Sequence, residues 1–188
     1  MFVAVKDNDR FLIGCTIRDT LDCMEYSDLV LEDNMPVWKV KGKKNVVVAC
    51  GEIDFASTLL KYNKRLFDVE ITDDGIFREL VPMMKRFLDR FDLVDDKGHW
   101  DNELIIANND ISYIIGPDFS VVKVDDYYCS AVYYNLVMGS LSTDKVKPAK
   151  KRIIDACALV EKMKARKMFP LAIYDTKTRK RKIVNPKG

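Results

Sequence analysis

Nucleophilic side chains are plentiful in this sequence, but the groups that would activate them are scarce. His99 is the only histidine in 188 residues, so a Ser-His-Asp or Cys-His site would depend on one imidazole, and a multi-histidine metal centre is excluded. It lies beside Trp100 in the polar stretch Asp95-Asp96-Lys97-Gly98-His99-Trp100-Asp101-Asn102, where a surface position is expected. The cysteines, Cys15, Cys23, Cys50, Cys129 and Cys157, are odd in number and scattered, with no C-x-x-C pair. Four lie in apolar surroundings, as small buried hydrophobes do in a reducing compartment. Cys129-Ser130 puts two nucleophilic atoms side by side, yet no base adjoins them and packing is their expected role. Asp92, Asp95 and Asp96 could face a divalent ion, but their spacing fits no calcium loop and reads as a solvated turn.

Charge narrows the partners. Lys and Arg number 31 against 29 Asp and Glu, so a formal charge of +2 gives no basic footprint over the whole domain. The densest basic run holds Lys177, Arg179, Lys180, Arg181 and Lys182. It reads as a solvated hairpin or tail, with an acidic partner, a phosphate surface or nucleic acid as the alternative. No stretch has the length of a membrane span, and the opening MFVAVKDNDR lacks a basic leader and a long apolar region. A cytoplasmic protein without cofactor or metal is the expectation.

The elements that would position these residues follow from hydrophobic period. Phe2 to Val5 and Phe11 to Ile17 are β-rich runs around a polar turn, a hairpin. Leu29 to Leu31, Val37 to Val40 and Val46 to Cys50 extend the strand character. Spacing changes at Gly51, and a helix is predicted over 54–64 with Asp54 as N-cap. A second apolar stripe runs from Ile76 to Phe91, with Pro82 marking a kink or a helix start. Three short strands follow, at 104–107, 111–115 and 119–124, then helices at 131–138 and 147–167, then strands at 169–174 and 182–184. No repeat or linker divides this order, so residues 1–188 read as one domain. Antiparallel hairpins with two helix pairs predict an α+β fold, a four-layer αββα sandwich of two antiparallel sheets flanked by helices.

That order resembles the proteasome β-subunit family and the related bacterial ATP-dependent protease ring, which share the N-terminal-nucleophile (Ntn) hydrolase fold. The 2–14 hairpin resembles the family's first two strands. Val37-Trp38-Lys39-Val40 is similar to the strand that carries its catalytic lysine. Ala49-Cys50-Gly51-Glu52-Ile53-Asp54 is similar to the strand-to-helix turn whose glycine amide forms the oxyanion hole. Ser112 to Gly116 with Val121-Val122 resembles the central meander, and Cys129-Ser130-Ala131 stands at the family's Gly-Ser-Gly turn.

In that family an N-terminal Thr, Ser or Cys attacks an amide, with its own α-amine or a water beside it as base; an amine pKa near 8 makes a histidine unnecessary. The resemblance therefore requires the nucleophile at residue one. Here Met1 and Phe2 carry none, and Thr16 stands where the family has its aspartate, with Arg18 and Asp19 just beyond. Lys39 and the Gly51 amide carry over, although Lys39 equally suits a solvent-facing site on an alternating strand and Gly51 a simple turn. Cleavage before Cys15 would expose an N-terminal cysteine but sever the first hairpin. Two functions follow: a catalytically silent proteasome-like subunit with a structural, binding or regulatory role, in a bacterial or phage setting, or an Ntn-type peptidase or amidase using Cys15 or a relocated nucleophile. The resemblance also implies self-assembly or a protein partner, with Tyr127, Tyr128, Tyr133 and Tyr134 as a candidate contact.

Overall fold

The computed structural model describes residues 1–17, 37–40, 42–43, 46–51, 54–63, 65–130, 133–163 and 167–185. Among the described residues, ten strands form two antiparallel sheets: β1 (Phe2–Lys6), β2 (Phe11–Thr16), β3 (Val37–Lys39), β4 (Val47–Cys50), β5 (Leu104–Ala107), β6 (Ser112–Ile115), β7 (Val121–Val124), β8 (Tyr127–Cys129), β9 (Leu171–Asp175) and β10 (Arg181–Val184). The first sheet has the order β10-β9-β2-β1-β8 and the second β3-β4-β5-β6-β7. The predicted Leu29 to Leu31 strand, Cys23, Arg18 and Asp19 lie outside the described residues.

Side-chain alternation builds the layers. Phe2, Ala4, Phe11, Ile13 and Cys15 of the first sheet meet Val37, Val47, Ala49, Ile105 and Ala107 of the second in a central apolar cluster. The opposite faces are covered by helices. Val3, Val5, Leu12 and Ile173 pack under α3 (Tyr134–Thr143) and α4 (Ala149–Lys162). Val48, Leu104, Ile106 and Tyr113 pack under α1 (Phe55–Tyr62), α2 (Val81–Asp89) and the turns before α2. This is the four-layer αββα sandwich that the order of elements predicts.

Local chemistry sets the boundaries. Asp54 caps α1 in a reciprocal box: its carboxylate accepts from Ser57 N at 2.6 Å, and Ser57 Oγ accepts from Asp54 N at 2.9 Å. The apolar stripe starts as a π-helical turn at Gly75–Leu80 and becomes α-helical at Val81, so of the two readings of Pro82 the helix start holds: Pro82 lies in the first turn of α2, where its missing N–H is harmless. Helix α3 starts three residues later than predicted and runs on to Thr143, because Tyr127–Cys129 forms the extra strand β8 against β1. Gly14 lets α4 settle onto β2, since a Cβ there would lie 2.6 Å from Ile153 Cγ2.

Candidate functional site

Strand β1 sets up the site by pairing Phe2 with Cys15 on β2 and Val3 with Cys129 on β8. The pairing brings the Met1 nitrogen to Thr16 Oγ1 at 3.4 Å and to the Gly51 carbonyl. Ser130 closes the other side: Phe2 N donates to its Oγ at 2.8 Å, and Ser130 N donates to Phe2 O at 3.0 Å. Met1, Thr16, Gly51 and Ser130, drawn from four places in the sequence, therefore converge at one end of the two sheets.

The same alternation puts the Met1 side chain on the helix-covered face of the first sheet, with Val3 and Val5. Met1 is buried in one apolar cluster with Val3, Val5, Cys129, Cys157 and Phe169, under α3 and α4. Its thioether is core, and thioether sulfur offers no proton-transfer or acyl-transfer chemistry at neutral pH.

Gly51 reaches the cluster, but its amide is engaged. Gly51 N donates to Glu103 O at 2.9 Å and also approaches Asn102 Oδ1 at 3.1 Å, so the donor expected to serve an oxyanion is spent on holding β4 against β5. Lys39 is not brought to the cluster. The register pairs Val37 with Ala49 and Lys39 with Val47, so Lys39 lies four residues from Gly51 along β4, roughly 13 Å at strand rise. Its ammonium instead sits 5.9 Å from the Tyr174 ring centroid.

The cysteines offer no reactive thiol among the described residues. Cys15, Cys50, Cys129 and Cys157 are buried, and none of them is in a disulfide. Burial pushes the Cys50, Cys129 and Cys157 thiols up to about 12 and raises Cys15 as well. Cys15 lies mid-sheet, paired to Phe2 on one side and Ala172 on the other, so a cut before it would break both ladders. His99 is exposed, as expected, and its backbone N–H is fixed by Asp95 Oδ1 at 2.8 Å. No cluster of three or more metal-ligating side chains occurs among the described residues. Among them, too, no helix is long and apolar enough to cross a membrane.

This arrangement of sheets, flanking helices and converging termini of strands has clear relatives among solved structures. Thiobacillus denitrificans BPH in complex with epoxomicin superposes with a TM-score of 0.67 at 12% identity, covering 100% of this chain and 99% of that one. The fold is that of the proteasome-type Ntn hydrolases. A second structure of Thiobacillus denitrificans BPH gives a TM-score of 0.68 at 12% identity over 99% of each chain. HslV from Trypanosoma brucei gives 0.60 at 10% identity, covering 93% of this chain and 97% of that one. No family model matches the sequence, and no curated protein does.

Within this proteasome-type fold two residues appear that sequence reasoning passed over. Asn102 accepts from Glu103 N at 2.8 Å as well as facing Gly51 N, and its Nδ2 donates to Asp54 Oδ2 at 2.9 Å, tying the Gly51 turn to the cap of α1. Glu103 follows it, half-buried, with Oε2 shut from water and without a donor among the described residues. Burial raises the Glu103 pKa, while the positive Met1 nitrogen opposes the rise.

A pH signature follows. A carboxyl whose folded pKa lies above its unfolded value, here 4.5, favours the folded state while protonated and loses that contribution as pH rises through the folded pKa. Glu103→Gln removes the charge, so its thermal midpoint should exceed that of the parent at neutral pH. The gap should close as pH falls towards 4.5. Parallel melts across this range check it, and a constant gap would mean that Glu103 does not titrate differently on folding.

Proposed function

We propose that the chain is a catalytically silent protein of the proteasome type, serving as a structural, binding or regulatory subunit in a cytoplasmic assembly. One observation carries the reading: the residue at the head of β1, where this fold places its nucleophile, is a methionine whose side chain is packed into the core. The Gly51 amide bound within the sheet and the distance of Lys39 from the cluster support it. Self-assembly is part of the proposal, and exposed apolar residues such as Phe55, Tyr62 and Phe77 on the helical layer suit it.

The test is intact-mass spectrometry of the protein from its native host, before and after an electrophile directed at N-terminal nucleophiles, alongside peptide hydrolysis assays. A chain retaining Met1, with no adduct and no hydrolysis above background, is expected. A covalent adduct, or a mature chain beginning at Cys15, would replace this reading with an active amidase or peptidase.

A further inference from the structure

Met1 heads β1, and a hollow lies at the opposite end of the first sheet, by the turn of the β1–β2 hairpin. Leu12 of β2 and Ile173 of β9, both on the helix-covered face, form its apolar floor. It has a volume of about 290 Å³, and its cations reach it from separate elements. Arg10 comes from the β1–β2 turn, Lys150 from the first turn of α4, Lys180 from the β9–β10 turn and Lys182 from β10.

These cations are not alike. Arg10 is engaged, meeting Asp7 at 2.7 Å and Asp175 at 3.0 Å. Asp175 is the one carboxylate among the described residues lining the hollow, and both its oxygens are committed. Oδ2 takes Arg10, and Oδ1 accepts from Lys177 N at 2.9 Å and Thr178 N at 3.1 Å. Lysines close by in sequence also pair: Lys151 with Asp155 at 2.7 Å, Lys147 with Asp144 and Asp155 at 2.9 Å, and Lys177 with Asp9. The ammoniums of Lys150, Lys180 and Lys182, by contrast, form no ion pair or hydrogen bond among the described residues. Three like charges gathered on one hollow add no attractive contact to the fold. Their mutual repulsion is relieved when an anion sits among them.

We propose that this hollow binds an anion of two or three linked phosphates, inorganic or at the end of a nucleotide. Three uncompensated charges match such a chain better than a single phosphate, whose charge is about two at neutral pH. Ammoniums act as point charges that can turn to follow phosphate oxygens, and the Thr178 hydroxyl lines the same wall as a further donor. The volume lies at the lower edge of small-ligand sites, which suits the phosphate chain and leaves a nucleoside outside. Alternation along β10 opposes a continuous nucleic-acid track, because Lys182 pairs with Ile173 on the helix-covered face while Arg181 pairs with Tyr174, which faces the other sheet. The site does not rest on the reading of the Met1 cluster.

Calorimetric titration of the full chain with tripolyphosphate, ATP and orthophosphate, at low and near-physiological salt, tests the proposal. Tripolyphosphate and ATP should bind within about threefold of each other, at least about tenfold tighter than orthophosphate, and more weakly as salt rises. Lys180→Gln with Lys182→Gln should weaken tripolyphosphate binding by at least about tenfold, and Lys150→Gln alone by at least about threefold. Lys85→Gln with Lys97→Gln, the same loss of net charge on the far helical layer, should change it less than about twofold. Because Lys150, Lys180 and Lys182 lose no partner on substitution, the thermal midpoints of their variants should equal or exceed that of the parent, which separates lost binding from lost folding. Absence of binding at millimolar tripolyphosphate in low salt, unchanged binding in Lys150→Gln, or equal losses from the two double variants would overturn the site. So would orthophosphate binding as tightly as tripolyphosphate, ATP binding more than about threefold tighter than tripolyphosphate, or a single-stranded oligonucleotide binding tighter than either.

Discussion

Alanine at Trp100 is expected to destabilise the protein by about 3–5 kcal/mol, the cost of emptying a large buried aromatic site. Trp100 is 1% exposed, and its ring stacks on Phe119 with centroids 6.2 Å apart. Its Nε1–H donates to Gly116 O at 2.9 Å and its backbone N–H to Pro117 O at 2.9 Å, so it fastens the loop before β5 to the β6–β7 turn. For a chain of this size the loss should lower the thermal midpoint by roughly 10 °C or more. Trp100→Phe should fall between, filling part of the space but stranding the Gly116 carbonyl. Thermal melts of the three proteins measure the series, and a midpoint for Trp100→Ala within about 2 °C of the parent would show that the site is not the rigid anchor described.

Asn102→Ala should cost about 1–3 kcal/mol by a different route, since it leaves the half-buried Glu103 N–H without its side-chain acceptor and removes a donor from the Asp54 carboxylate. Gly51 N keeps its bond to Glu103 O, so β4 and β5 stay paired and the damage is confined to the join between that turn and α1. Hydrogen exchange should therefore report faster opening of α1 with little change in β4 to β6. Asn102→Asp separates acceptor from donor: it keeps the oxygen facing Glu103 N but sets a second carboxylate against Asp54, so it too should destabilise at neutral pH and recover as the pH falls. Full stability of Asn102→Ala would remove the proposed link between the candidate site and the helical layer.

Why some of this could be read in the residues and some could not is a matter of contact range. The first hairpin is legible because Phe2 to Val5 and Phe11 to Ile13 are continuous apolar, β-rich runs on either side of a polar turn, and the register Phe2 to Cys15 needs only local geometry. The Asp54 cap is likewise local, a side chain meeting an amide three residues on. Asn102 carries no such signal: its partners Gly51 and Asp54 lie about fifty positions away, and only the pairing of β4 with β5 gives it a role. Lys39 illustrates the limit from the other side. Its strand is evident in Val37 to Val40, but the register that carries it away from Gly51 depends on which β4 residue it opposes. Strand β8 carries no sequence signal, because three residues, Tyr-Tyr-Cys, are too few to show a period beside Asp125 and Asp126.

The basic residues of the last hairpin also bear on colloidal behaviour. Strand β10 closes the first sheet, and its residues Arg181, Lys182 and Ile183 are exposed. An open strand edge invites another chain to add to it, and like charges along that edge repel the newcomer.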